Sequence, residues 1–294
     1  MPRLSPLTLA TLAAGSLLAT HASAAVLVND SFSDGSRTDG PDPLDAAFFA
    51  TNAGTLGVGA GGDAVVPGDN SLNYDAGGNF RGVVANFGPV TLDTEATTGL
   101  TLGFDFRLRT LNANTNGLRF GLYNTLGTPF TDDSTAADVD DQGVTARAAI
   151  GGTANAFNLG LDQPSGSGPF GRNTDLASGG SGTSLSINDN LARSATFSIT
   201  RTGTDTLEVT STLFNGTGGT GGVLGTATGT ANVNQTLGDP ADFFTFNELG
   251  VGLGAATNSF SVDNVTLNTT VVPEPASLAL AAAGLGLLAG RRRR

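Results

Sequence analysis

The chain has 294 residues, 43 of them glycine, with no cysteine, no tryptophan, one histidine and a formal charge of −12. Without cysteine there are no disulfides, thiolate nucleophiles or thiolate metal sites. The acidity argues against nucleic acid as a partner, because polyanions repel one another.

The first segment reads MPRLSPLTLATLAAGSLLATHASA. Arg3 is a short positive region, 7–18 is an apolar stretch, and Ala22-Ser23-Ala24 is a small-x-small cleavage site. That layout predicts a secretory signal peptide over 1–24, cut after Ala24, with Ala25 as the alternative. The apolar run is too short for a spanning helix. His21 leaves with the leader, and the chain has no lysine. The exported body then has no Ser-His-Asp triad, no Schiff base and no histidine-ligated zinc.

The body, 25–270, is rich in Gly, Thr, Asn and Val, and helix signals are nearly absent. Val26-Leu27-Val28-Asn29-Asp30-Ser31-Phe32 reads as an opening strand. Leu100, Leu102, Phe104, Phe106 and Leu108 alternate with polar residues, so one face is buried and Asp105, Arg107 and Arg109 share the other. Leu118, Phe120 and Leu122 repeat the pattern, as do Phe157, Leu159 and Leu161. The 195–201 and 206–213 runs flank Thr202-Gly203-Thr204-Asp205 and predict a hairpin. Leu249, Val251 and Leu253 form a further strand. Phe260, Val262, Val265 and Leu267 form the closing one, with a bulge expected at Asp263-Asn264. Two long loops, 129–143 and 163–183, interrupt the series. About fourteen short strands separated by turns predict an all-β antiparallel sandwich of two sheets. A parallel β-helix is the rival for a Gly- and Asn-rich chain, but no fixed repeat period is present.

The chain ends VVPEPASLALAAAGLGLLAGRRRR. Pro275 suits a first helical turn, and Glu274 favours the positive end of the helix dipole. The uncharged stretch 276–290 predicts a transmembrane helix of about 22 Å, short of the ~30 Å hydrocarbon core. Arg291, Arg292, Arg293 and Arg294 would snorkel to the headgroups and stay on the cytoplasmic side, leaving the body outside. Removing both ends takes away five arginines and one glutamate, so the formal charge becomes −16.

Val272-Pro273-Glu274-Pro275, a short apolar helix and a terminal arginine cluster resemble the PEP-CTERM sorting signal of Gram-negative bacteria, over 271–294. That resemblance implies recognition by an exosortase, a transient inner-membrane anchor, and release to the cell surface or the extracellular polymeric matrix. The partners it implies are the exosortase and the secretion machinery.

The 26–32, 197–203 and 260–267 stretches resemble concanavalin A-like, or laminin-G-like, jelly rolls. Glycosidases of that kind carry Glu-x-Asp-x-x-Glu on one strand. This sequence does not, and Glu95, Glu208 and Glu248 are the only glutamates of the body. The expectation is therefore a non-enzymatic matrix protein associated with extracellular polysaccharide. A degenerate glycan-active enzyme and a structural filler without a specific ligand remain the alternatives. Aromatic sugar platforms are scarce: Tyr74, Tyr123, and one exposed ring from each of Phe48-Phe49 and Phe243-Phe244. Arg81, Arg107, Arg109 and Arg119 either form a basic patch on one sheet or pair with aspartates. Calcium is the candidate cofactor, since hard oxygen ligands are what the body offers. One candidate set is Asp132, Asp138 and Asp140 in the first long loop. The other is Asp30 with Asp263, if the first and last strands lie side by side; in the sandwiches resembled here a structural calcium is common at that place.

Overall fold

The computed structural model describes residues 24–38, 44–51, 54–61, 64–75, 81–94, 98–110, 117–133, 141–149, 157–162, 170, 174–178, 187, 190–233, 242–254 and 259–271. Ala22, the 272–275 motif, the 276–290 stretch, Arg291 to Arg294, Asp138 and Asp140 fall outside them.

Fifteen strands are described: β1 (Val26–Asp30), β2 (Phe48–Ala50), β3 (Thr55–Gly59), β4 (Ser71–Asp75), β5 (Arg81–Thr91), β6 (Thr98–Thr110), β7 (Leu118–Asn124), β8 (Gln142–Ala148), β9 (Phe157–Asp162), β10 (Thr174–Ser178), β11 (Ala192–Arg201), β12 (Thr206–Phe214), β13 (Val223–Asn232), β14 (Thr245–Leu253) and β15 (Ser259–Val271). A 3-10 turn spans Asp242–Phe244 just before β14. The first sheet has the order β13-β12-β11-β6-β15-β4-β3, with β1 added beside β15. The second has the order β10-β9-β8-β7-β14-β5-β2. Every strand pair among the described residues is antiparallel, which does not fit a parallel β-helix.

The alternating runs do what a pleated strand requires. Leu100, Leu102, Phe104, Phe106 and Leu108 point inward from β6 and meet Leu118, Phe120 and Leu122 of β7 in one core. Phe120 packs edge-on against Phe104 at 5.1 Å and Phe197 at 6.1 Å, so one ring ties the two sheets together. The hairpin forms in the expected register, from Ser194 opposite Phe214 to Arg201 opposite Leu207. The closing strand breaks register against β6 between Asp263 and Thr266, and Asn264 takes φ 48° there. That is the expected bulge, with a residue type that tolerates left-handed backbone.

Three expectations need correction. The 163–183 stretch is not loop throughout: Thr174–Ser178 forms β10 and pairs with β9, an edge pairing made by backbone groups without an alternating apolar pattern. The second face of β6 is not simply solvated, because Asp105 is buried there. β7 is buried along its whole length, so its alternation separates two covered faces rather than core from water.

Candidate functional site

Strand β1 lies against β15, with Asp30 opposite Val265. The first and last strands are therefore neighbours, and Asp30 (5 % exposed) and Asp263 (3 % exposed) are both buried. Asp105 joins them as the cross-strand partner of Asp263. Backbone and amide donors hold these groups in place. Asp30 Oδ1 accepts from the Phe32 amide at 2.8 Å, and Asp263 Oδ1 from the Asn264 amide at 2.7 Å. Asp105 accepts from the Gly218 amide at 2.6 Å and from Asn264 Nδ2 at 3.0 Å. Burial pushes the carboxyls of Asp30 and Asp263 up to about 6, and neighbouring carboxylates push the same way.

Two clefts open beside them. One, of about 300 Å³, is lined by Asp30, Asp34 and Asp45. The other, of about 390 Å³, is lined by Asp69, Asn70, Asp263 and Asn264. Their carboxylate, amide and hydroxyl oxygens are the hard donors calcium takes. Among the described residues, however, no three His, Cys, Asp or Glu side chains are grouped to hold a metal. A cation here would need carbonyl or water oxygens as well. Asp132 lies elsewhere, exposed beside Asp133, whose carboxylate makes a two-pronged bond to Arg37 at 2.8 and 2.7 Å.

The outer face of the second sheet is a site that sequence reading missed. Leu249, Val251 and Leu253 face the core from β14. Glu248, Gly250 and Gly252 therefore face outward. Register then builds three rows across the sheet. Glu248 stands between Asn86 and Tyr123, followed by Gly143 and Asp162. Gly250 stands between Val84 and Gly121, followed by Thr145 and Gly160. Gly252 stands between Gly82 and Arg119, followed by Arg147 and Asn158.

Glu248 is 0 % exposed, and Tyr123, Arg119 and Asn158 are buried with it; Arg147 and Asn86 remain half-buried. Phe130 and Phe170 cover part of the face and form a second small apolar cluster with Val84. The Phe170 ring rests over the glycines: a Cβ on Gly250 would meet it at 3.1 Å, and one on Gly82 at 2.8 Å. Arg119 donates to the Phe170 carbonyl, and Asn86 donates to the Phe130 carbonyl at 2.6 Å. Tyr123 and Thr145 share a hydroxyl contact at 3.0 Å. Alternation in Leu118-Arg119-Phe120-Gly121-Leu122-Tyr123 does place Arg119 opposite the apolar side. Glu248 and Arg147 join it only through cross-strand register.

The other sugar-site expectations change. Phe243 and Phe244 are both buried, and Arg201 lies 3.6 Å over the Phe244 ring, so neither is a platform. Phe48 is buried and Phe49 packs partly against the second cluster. Tyr74 and Tyr123 are fully buried. The four arginines make no single patch. Arg107 and Arg109 belong to the first sheet, Arg81 and Arg119 to the second, because β6 and β5/β7 lie in different layers. Arg109 does pair with Asp75, at 3.0 Å.

No curated protein matches the chain. Among solved structures it is similar to the lectin from Bauhinia forficata in complex with GalNAc, at 12% identity over 85% of this chain and 98% of that one, TM-score 0.43. It is also similar to the carbohydrate esterase vb_24B_21 from Shiga toxin-encoding bacteriophage phi24B, at 16% identity over 84% and 99%, TM-score 0.42. A third is the CBM22-1 xylan-binding domain from Paenibacillus barcinonensis Xyn10C, at 9% identity over 86% and 99%, TM-score 0.36. A family model, the PEP-CTERM protein-sorting motif, matches the tail over residues 271–294, directly behind the all-β sandwich body.

Proposed function

We propose that this is an exported surface or matrix protein, released by exosortase processing, that associates with extracellular polysaccharide without turning it over. The sorting motif carries the export part of the reading. The polar face of the second sheet supports the polysaccharide part. Guanidinium, amide and phenol groups are donors for sugar hydroxyls and uronate carboxylates. The ligand would meet this face first at Arg147 and Asn86, its half-buried members.

Hydrolysis is the less supported reading. Glycosidases set two carboxyls roughly 5–10 Å apart. In the row of Glu248, Asp162 stands three strands away, about 14 Å at the usual strand spacing. Co-sedimentation of the purified body with neutral and uronate-rich polysaccharides tests the proposal. Retention that falls in Arg147→Ala, with no new reducing ends, supports it. No retention on any polymer removes the binding claim, and release of oligosaccharides restores the enzyme.

A second proposal concerns the Asp30–Asp263 pair. Calcium placed there would hold both carboxylates ionised despite their burial. The observation favouring it is that two buried acids open onto polar clefts, with no arginine paired to either among the described residues.

A further inference from the structure

The two ends of the body meet. The Ala25 amide donates to Thr269 Oγ1 at 2.8 Å, and the Thr269 amide donates back to the Ala25 carbonyl at 2.8 Å. Val26 is then opposite Asn268. Because β1 and β15 are antiparallel, the start of one and the end of the other share a pole of the first sheet. Adjacent strands are about 4.8 Å apart, so the chain enters and leaves the body at nearly one point. Thr270, Gly99 and Thr200 lie in one row there, and the turn carrying Thr204 projects just beyond it. The opposite pole is marked by Ser259, Asp75 and Thr55 in register. It lies about 40 Å away along β15.

The sequence leaves no slack at this pole. β15 runs to Val271, Val272-Pro273-Glu274-Pro275 follows at once, and the apolar stretch starts at 276. Four residues reach at most about 14 Å.

We propose that this pole is the membrane-facing end of the body in the precursor, set on the lipid surface by both termini, and that Ala25 is the first residue left by leader removal. The inference rests on the export reading above. Hydrolysis adds water across the Ala24–Ala25 amide, leaving a carboxylate on Ala24 and an ammonium on Ala25. That ammonium keeps an N–H for Thr269 Oγ1, whereas cleavage one residue later deletes every bond between Ala25 and Thr269. Asp30, Asp105 and Asp263 stand about 17–27 Å up the strands, two or more Debye lengths from an anionic headgroup layer.

The absence of native cysteine makes the test clean. Thr204 and Thr55 are both exposed, so T204C and T55C are labelled singly with a fluorophore in the full chain. Each is reconstituted into phosphatidylethanolamine/phosphatidylglycerol vesicles containing a headgroup-spin-labelled lipid. Quenching several-fold stronger at 204 than at 55 is expected; equal or reversed quenching in a chain that floats with the vesicles overturns the orientation alone. A chain that does not float sinks the membrane-anchor reading and the orientation together. The mass of the exported protein should place its N-terminus at Ala25, and a start at Val26 overturns the cleavage assignment.

Discussion

Asp105 and Asp263 are direct cross-strand partners on β6 and β15, and each is only 3 % exposed. Like charges face each other where water is scarce, and Asp30 adds a third carboxyl to the surroundings of Asp263. The cost of ionising here has consequences for stability.

Asp30 and Asp263 each titrate near 6 in the folded chain, against 3.8 for an ordinary carboxyl. The folded state therefore holds protons that the unfolded state has released between those values. Their contribution to stability is fully present below about pH 4 and is lost as pH rises through 6, on the order of 1–3 kcal/mol for each. In chelator, Asp263→Asn should raise the melting temperature at pH 7.5 by roughly 3–8 °C and leave it unchanged at pH 4. The amide oxygen can still accept from Asn264. Parallel melting curves at both pH values would contradict the burial argument.

Calcium should act on the same groups with the opposite pH preference. Millimolar calcium is expected to raise the melting temperature of the native chain at pH 7.5 and to do nothing for Asp263→Asn. An identical melt in calcium and in chelator leaves these aspartates without a metal.

Glycines of the two sheets have different tolerances. A Cβ on Gly121 would sit 2.1 Å from the Val144 carbonyl, which is backbone and cannot step aside. Gly121→Ala should cost several kcal/mol, as overpacking of a rigid neighbour does, about 2–4. Gly57, on β3, has nothing within 4 Å, so Gly57→Ala should be neutral or stabilising by about 0.5 kcal/mol. Urea titration of the two variants ranks them, and equal effects would mean that the second sheet relaxes more easily than its packing implies.

Arg201 closes the hairpin end of the core. It lies over Phe244 and donates to the carbonyls of Leu92 at 2.8 Å and Thr204 at 2.7 Å. Lysine keeps the charge but loses the planar fork and the stacking surface. Arg201→Lys should destabilise the body by about 1–2 kcal/mol, read as a lower urea midpoint with an unchanged slope.

Phe170 is the removable part of the cover over Gly250, Gly252 and Tyr123. Phe170→Ala should cost about 3 kcal/mol and expose Tyr123, measurable as faster tyrosine nitration. If the covered face is the polysaccharide site, the same variant should bind polymer at least as well as the parent. Weaker binding would place the ligand on Phe170 itself.

Local sequence determined a great deal. Period-two alternation decided which side of β6, β9, β12 and β14 is apolar, because pleating sends successive side chains to opposite faces. Turn chemistry at 202–205 decided the hairpin, and the Asp263-Asn264 interruption decided the bulge. The tail is a linear signal, legible because it is read as sequence. Only the tertiary structure decided which residues stand side by side. Glu248, Tyr123 and Arg119 share a face because β14 runs beside β7, and Asp30 lies near Asp263 because β1 docks on β15. Neither adjacency is encoded at short range: each arises when two apolar faces are buried together and the backbone ladders choose their register, a choice made by the whole sandwich at once.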